Sequence, residues 1–316
     1  MSFRILGTGS CLPQRSVSNE ELSASLDTSD EWISQRVGIR ERRVCTSETT
    51  TDLALGAARA ALDMSGLSPN DLDMIICATV SADNSAPSLA CEVQAMLGAK
   101  CPAMDINAGC SGFIYALETA AGFFARGADN ILVVGAERLT RLVDWTDRGT
   151  AVIFADGAGA MILGAGDSFV SSKLSAKGND AIIRIPNHSG ESPYYENTPA
   201  KPYIYMNGPE TFKFAINAMC TDLVEVTEAA GITLKDVTWV IPHQANARII
   251  DAAMRKLDLP PECCLKNIEK IGNTSAASVA IVFDELNRSG KLRDGDYIAM
   301  TVFGAGLTSA ACVIRW

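Results

Sequence analysis

Gly66-Leu-Ser-Pro-Asn-Asp-Leu-Asp-Met-Ile-Ile76 returns 165 residues later as Gly231-Ile-Thr-Leu-Lys-Asp-Val-Thr-Trp-Val-Ile241. Each copy is a turn, an Asp and then a β-rich apolar run, and each follows an amphipathic helix. Ahead of the second copy, Phe212, Ile216, Met219, Leu223, Val226 and Ala230 recur at spacings of three and four, one stripe of a helix. Ahead of the first, Thr51 or Asp52 is expected to cap a helix carrying Leu55, Ala58 and Leu62. A second echo pairs Asp156-Gly-Ala-Gly-Ala-Met-Ile-Leu with Phe303-Gly-Ala-Gly-Leu-Thr-Ser-Ala, each expected to follow one apolar strand and lead into another. Two repeats are too few for a solenoid, so the duplication predicts two similar α/β halves about a pseudo-twofold axis. The stretch from Ser168 to Pro209, with Pro186, Pro193, Pro199, Pro202 and Pro209, breaks the pattern and reads as a connection with short strands.

At 316 residues the chain can bury a large core, and 47% hydrophobic against 20% charged residues excludes a mostly disordered protein. The runs Met74 to Val80 and Ile131 to Ala136 are too short to span a bilayer, and Met1 to Pro13 holds no signal-like apolar stretch, so a cytoplasmic location is expected. A net charge of -10 repels nucleic acid and anionic membranes, and neither is expected as a partner. The ten cysteines include no C-x-x-C pair, and adjacent Cys263 and Cys264 suit a tetrahedral site poorly, so neither a metal nor a cofactor is expected.

Asp105-Ile-Asn-Ala-Gly-Cys-Ser-Gly-Phe reads as a short strand, a glycine-bearing turn and a helix running through Phe113, Leu117, Ala120, Ala121 and Phe124. Cys110 therefore falls at a helix start, where unpaired N–H groups and the positive dipole end favour a thiolate. Most of the other cysteines read as small buried hydrophobes. A base must come from His188 or His243. His188 lies in the proline-rich stretch, whereas His243 ends the strand Val240-Ile-Pro, an edge where α/β proteins place functional groups. By itself His243 reads more often as structural than as catalytic. Asn273, in Ile271-Gly-Asn-Thr-Ser-Ala-Ala-Ser before the apolar run Val279 to Leu286, reads by itself as a helix cap.

Together, Gly109-Cys-Ser-Gly-Phe, Pro242-His-Gln-Ala-Asn and Gly272-Asn-Thr-Ser-Ala-Ala-Ser resemble the Cys-His-Asn motifs of β-ketoacyl-acyl-carrier-protein synthase III, in order and separation. Asp27-Thr-Ser-Asp-Glu-Trp-Ile, Gly38-Ile-Arg-Glu-Arg, Asp147-Arg-Gly-Thr, Asp156-Gly-Ala-Gly and Phe303-Gly-Ala-Gly-Leu-Thr extend the resemblance nearly end to end. It implies the thiolase-like α/β fold, with duplicated halves (residues 1–167 and 168–316) in a five-layer αβαβα arrangement. It also implies a decarboxylative Claisen condensation that initiates fatty acid synthesis. Cys110 takes the acyl group of an acyl-CoA primer, then malonyl-acyl-carrier protein enters and loses carbon dioxide. His243 and Asn273 stabilise the resulting enolate, with backbone N–H groups of Cys110 and Ala305 as the oxyanion hole. Asn donates to an oxyanion but takes no proton, which suits decarboxylation rather than deprotonation. The resemblance assigns CoA to Trp32, Arg148, Thr28, Arg36 and Asn246, with CoA a substrate rather than a cofactor, and implies a homodimer. Lys213, Arg248, Arg255 and Lys256 are a candidate patch for the acidic carrier protein, or else a solvated helix face.

The sequence departs from that family at two places in the acyl pocket. Ala86 precedes Pro87-Ser88, where many members carry a bulky aromatic that reaches the partner subunit's pocket; a small residue implies primers longer or more branched than acetyl. Ser309 stands where the Gly-Leu-Thr motif usually continues into tryptophan. A starter or acyl-transfer enzyme of polyketide pathways shares the triad, and a Cys-His thioester hydrolase is the competing class.

Overall fold

The computed structural model describes residues 2–186, 194 and 202–316. Strands β1 (Ser2–Cys11), β2 (Met74–Ala78), β3 (Ala103–Ile106), β4 (Asn130–Arg138) and β5 (Asp156–Gly166) form one sheet in the order β1-β5-β4-β2-β3. Strands β6 (Phe169–Asn179), β7 (Val237–Pro242), β8 (Tyr297–Gly304) and β9 (Gly306–Arg315) form a second, in the order β7-β8-β9-β6. From the opposite edge, β6-β9-β8-β7 pairs antiparallel, antiparallel, parallel, as β1-β5-β4-β2 does. The duplication read from the echoes is thus present strand for strand in the two large sheets, and among the described residues β3, parallel to β2, is the one strand added to them.

Seven helices matter to the site: α1 (Asp30–Val37), α2 (Thr50–Ser65), α3 (Leu89–Leu97), α4 (Gly112–Phe124), α5 (Gly208–Ala229), α6 (Ala247–Lys256) and α7 (Ser278–Arg288). Helices α2 and α3 cover the outer face of the first sheet, α4 and α7 lie between the sheets, and α5 and α6 cover the second, giving five layers. Strand parity divides the apolar residues between layers. In β2, Met74, Ile76 and Ala78 enter the central core while Ile75 and Cys77 enter the outer one. In β8, Ile298, Met300 and Val302 face inward and Ala299 and Phe303 outward. Strands covered on both faces need continuous apolar runs, which explains why Met-Ile-Ile-Cys-Ala and Ile-Leu-Val-Val carry no alternation.

Each echo of the opening stretch has the same anatomy. Gly66 ends α2 in a left-handed conformation, Ser68 and Asp71 form a capping box on a 3-10 turn, and β2 follows. After α5, Thr233 and Asp236 repeat that box ahead of β7.

Three expectations need correction. The N-cap of α2 is Thr49, whose hydroxyl accepts from Asp52 N while the Asp52 carboxylate accepts from Thr49 N; Thr51 is already helical and bonds Asp83 and Glu92. The stretch after Ser168 begins with the long strand β6, and short strands follow only at Ile183–Arg184 and Tyr205–Met206. Its Phe-Val-Ser-Ser-Lys-Leu-Ser-Ala-Lys sequence hides that strand because an exposed edge carries Ser and Lys instead of an apolar run. The apolar run Ala151 to Ala155 before Asp156 is not a strand; it leaves a helical turn, and only Phe154 forms an isolated bridge, to Asn273. Pro193, Pro199 and His188 lie outside the described residues. Among the described residues no helix is long and apolar enough to cross a membrane.

Candidate active site

Strand β3 delivers the chain to the turn holding Cys110, two residues before α4 begins at Gly112. Gly109 makes that turn with a φ of +58°, and a Cβ there would stand 2.9 Å from the Ala305 carbonyl oxygen. A Cβ on Gly304 would stand 2.6 Å from Cys110 N. The β8–β9 turn therefore lies directly against the cysteine backbone, an approach that only glycine permits. Thr308 Oγ1 fixes it, 2.9 Å from the Ala108 carbonyl, 3.0 Å from the Ala305 carbonyl and 3.1 Å from Ser111 Oγ.

The helix start does not make Cys110 a thiolate. Burial pushes the thiol up to about 12; the Ser275 hydroxyl pulls the other way and the Glu137 charge adds to the rise. A helix terminus contributes only about 0.3–1 kcal/mol at ordinary sites, too little to offset desolvation of a sulfur anion.

His243 follows β7, and its backbone N–H donates to the Thr301 carbonyl at 2.8 Å. The ring lies 5.2 Å from the Phe303 ring at 67° and its Nδ1 is 2.7 Å from Ser278 Oγ. Burial pushes the imidazole down to about 3, so it is neutral at physiological pH. When the Ser278 hydroxyl donates to Nδ1, the proton resides on Nε2. Gln244 anchors this turn: its Nε2 donates to the Pro242 and Leu265 carbonyls, and its Oε1 accepts from Asn267 N and Ile268 N.

That same segment leads to Asn273, whose backbone brackets the 151–155 run: its N–H donates to the Ile153 carbonyl at 3.0 Å, and its carbonyl accepts from Ala155 N at 2.9 Å. Asn273 is not a helix cap. A 3-10 turn at Ser275–Ala277 intervenes, and α7 starts from Ala277. Instead its Oδ1 accepts from Ser275 N at 2.9 Å, which fixes the amide so that its NH₂ end is the donor toward the pocket.

Cys110, His243 and Asn273 line one cavity of about 520 Å³, together with Ile153, Phe154, Phe303 and Gly304. Trp32 and Arg36 of α1, Asn246 and Arg248 at the start of α6, and Phe212 of α5 also line it, the two arginines exposed. Asn246 joins the two helices, its Nδ2 donating to the Arg36 carbonyl at 3.2 Å while its Oδ1 caps α6 through Arg248 N. The Arg148 guanidinium lies 5.2 Å from the Trp32 ring centroid and donates to the Asp27 carbonyl. Thr28 does not line the cavity, yet its buried Oγ1 has no hydrogen-bond partner.

Of the remaining sequence-derived residues, all but Arg248 lie outside the cavity wall. Ala305 adjoins it behind Gly304. Lys213, Arg248, Arg255 and Lys256 are exposed, on adjacent helices; Lys256 Nζ reaches Asn217 Oδ1, one turn beyond Lys213, at 3.3 Å. Ala86 is exposed in the loop before α3, and Ser309 is buried opposite Phe303 in the β8–β9 ladder. Sequence reasoning missed Ser278, Ser275 and Glu137. The first two lie inside the quoted Gly-Asn-Thr-Ser-Ala-Ala-Ser motif; Glu137 carries only the oddity of a charge ending the apolar run Ile131 to Ala136. Among the described residues no group of three His, Cys, Asp or Glu could hold a metal ion.

Comparison with known proteins identifies the family. Residues 104–178 match the family model of 3-oxoacyl-[acyl-carrier-protein] synthase III, and residues 227–316 match the model of its C-terminal region. The β-ketoacyl-[acyl-carrier-protein] synthase III of Caldanaerobacter subterraneus subsp. tengcongensis is 47% identical over 99% of this chain and 97% of its own. The crystal structure of 3-oxoacyl-[acyl-carrier-protein] synthase III from Aquifex aeolicus superposes with a TM-score of 0.93 at 44% identity, covering 99% of this chain and 100% of that one. The priming β-ketosynthase of the R1128 polyketide pathway superposes at 0.92 with 34% identity, covering 99% and 96%. With matches of this extent, the chain belongs to the β-ketoacyl-[acyl-carrier-protein] synthase III family of thiolase-fold condensing enzymes.

Proposed function

We propose that the chain condenses an acyl-CoA primer with malonyl-acyl-carrier protein, giving 3-oxoacyl-acyl-carrier protein and starting fatty acid synthesis. The observation that carries the division of labour is one buried thiol and two neutral N–H donors at the base of a single pocket. Cys110 Sγ attacks the primer thioester while Cys110 N–H and Ala305 N–H receive the oxyanion; free CoA leaves. Malonyl-acyl-carrier protein then enters and loses carbon dioxide. The enolate oxygen accepts from His243 Nε2–H and Asn273 Nδ2–H, and the enolate carbon attacks the acyl-enzyme. A histidine held neutral suits this step, because an imidazolium would protonate the carbanion while a neutral N–H stabilises it and keeps its proton.

Trp32 and Arg148 now touch. An adenine ring between them requires a separation of roughly 7 Å, two contact distances, so binding parts the pair by about 2 Å. Arg36, Asn246 and Thr28 supply polar contacts along the CoA path, and the orphaned Thr28 hydroxyl gains a partner. Lys213, Arg248, Arg255 and Lys256 receive the acidic carrier protein. Ala86 and Ser309 shape the primer pocket, Ala86 by leaving that of the partner subunit deeper in a cytoplasmic homodimer. Residues 1–167 and 168–316 are the two repeated halves, and no cofactor takes part.

The priming role in a polyketide pathway is the second reading, favoured by the 34% identity to such an enzyme. The hydrolase reading fits poorly, since an imidazole pushed down to about 3 is a weak general base. Intact-mass measurement after incubation with acetyl-, butyryl- and isobutyryl-CoA tests the assignment. Cys110→Ser abolishes the acyl adduct, whereas His243→Ala and Asn273→Ala keep it and lose most decarboxylation. An adduct on Cys110→Ser, or full condensation by either other variant, overturns the roles.

A further inference from the structure

The buried carboxylate of Glu137 is left without a role by this scheme. Glu137 is the next-to-last residue of β4 and fully buried, and among the described residues it forms no ion pair. It is held by hydroxyl and amide donors: Ser81 Oγ, Thr79 Oγ1 at 3.4 Å, Val80 N at 3.2 Å and Ser275 Oγ at 3.0 Å. Ser275 adopts a φ of +49°, uncommon for a residue with a side chain, and its hydroxyl stands close enough to the Cys110 thiol to pull it down. Ser275 therefore stands between Cys110 and Glu137, with its hydroxyl bonded to Glu137 Oε1.

We infer that Cys110 and Glu137 share one proton through Ser275, so that Glu137 receives the thiol proton during acyl loading and returns it when the acyl group leaves. As Cys110 Sγ forms its bond to the primer carbonyl carbon, the S–H proton passes to Ser275 Oγ and the Ser275 proton to Glu137 Oε1. The expelled CoA thiolate takes a proton from solvent. When condensation expels the Cys110 thiolate, the two protons move back, and thiol and carboxylate are restored. The site never carries more than one negative charge, which avoids two anions in a buried cluster.

The energetics agree with the path. Burial pushes Glu137 up to about 7 while leaving Cys110 at about 12, so an acceptor of near-neutral basicity stands next to a thiol that does not ionise unaided. The other charged groups around Glu137 do not replace it. Asp156 of β5, opposite Arg138 in the strand register, is engaged by Cys45 N and Thr140; Asp83 lies against Arg138 and Arg141; Asp284 of α7 bonds Thr8, Ser10 and Arg288. His243 stays neutral across the working range.

The inference rests on Cys110 being the nucleophile, and the test separates the two. The rate of Cys110 alkylation by iodoacetamide, followed by peptide mass spectrometry from pH 5.5 to 9.5, reports thiolate population. With a shared proton, the wild-type rate rises about tenfold per pH unit to about pH 7 and then flattens to at least pH 9. Glu137→Gln removes the break and keeps rising, outpacing the wild type by roughly 100-fold at pH 9. Ser275→Gly, which suits the left-handed backbone, also weakens the break. A general loss of packing would lower rates at every pH without moving it. A wild-type profile without a break, a break kept by Glu137→Gln, or one kept in full by Ser275→Gly overturns the shared proton alone. A Cys110 that is not modified at all overturns the nucleophile as well.

Discussion

Gly304→Ala isolates the oxyanion hole from the rest of the chemistry. Gly304 ends β8 without a left-handed φ, so alanine is allowed by the backbone and excluded only by space. Its Cβ would lie 2.6 Å from Cys110 N, 3.0 Å from Cys110 Cβ and 3.2 Å from Cys110 Cα, where ordinary contact begins at 3.4 Å. Relief requires the cysteine backbone to retreat by roughly 0.8 Å, and a 1 Å misplacement costs on the order of 100-fold in rate. The methyl also covers the Cys110 N–H, and loss of one oxyanion donor costs about 100- to 1,000-fold. The expected fall in acylation is therefore about 100- to 1,000-fold, roughly 3–4 kcal/mol of barrier. Decarboxylation falls less, because His243 and Asn273 donate from other elements. Rapid-quench intact-mass measurement with an acyl-CoA reads the first rate and carbon dioxide release the second. Gly122→Ala, on the exposed side of α4 with no atom within 4 Å of its Cβ, is the control and should leave both rates unchanged while stabilising the helix by ~0.5–1 kcal/mol. A Gly304→Ala chain that melts normally and acylates at the wild-type rate refutes the assignment of Cys110 N–H.

His243 is neutral well below its ordinary 6.5, so decarboxylation should show no break between pH 5 and 8 from this residue; a break near 6.5 that disappears in His243→Gln contradicts the neutral donor. Stability should respond oppositely to the two buried groups. His243, lowered to about 3, contributes stability present above 6.5 and lost as pH falls, whereas Glu137, raised to about 7 from 4.5, contributes stability that grows as pH falls from 7 to 4.5. Glu137→Gln removes the second effect, so chemical denaturation should show its stability falling relative to wild type by up to about 3 kcal/mol between pH 7 and 5; parallel curves would contradict the raised carboxyl. Replacing Arg255 and Lys256 by Glu should raise KM for malonyl-acyl-carrier protein several-fold and leave primer acylation unchanged; equal effects on both would remove the patch. Initial rates over an acyl-CoA series should extend past acetyl to longer or branched primers, and a sharp maximum at acetyl would contradict the reading of Ala86.

The fold was legible because burial on both faces of a strand leaves a compositional mark. Met74 to Ala78 and Val237 to Pro242 could be found as apolar runs after matching turns, and their shared Ser/Thr-to-Asp capping boxes are local chemistry written in local sequence. Strand β6 was not legible, since its outer face meets solvent and carries no apolar signature. That Cys110, His243 and Asn273 meet in one cavity was legible through the motifs, but the condition of the thiol was not. The helix-start argument used only neighbours in sequence, while burial depends on elements far along the chain: Glu137 and Ser275 are 138 residues apart, and only folding joins them.

The repeat explains why that joining occurs. By order between corresponding strands, α4 matches α7 and α3 matches α6, so the turn holding Cys110 and the segment holding Asn273 precede equivalent helices of the central layer. His243 leaves β7 at the point where Thr79, Val80 and Ser81 leave β2, and those three are among the residues that hold Glu137. The two halves thus use one position differently. At the end of β7 it supplies a neutral donor to the pocket, and at the end of β2 it supplies hydroxyl and amide donors to a buried carboxylate behind the nucleophile. A shared proton at Cys110 would make that second use functional rather than structural, which is why the Glu137 and Ser275 variants bear on the whole architecture and not on one side chain.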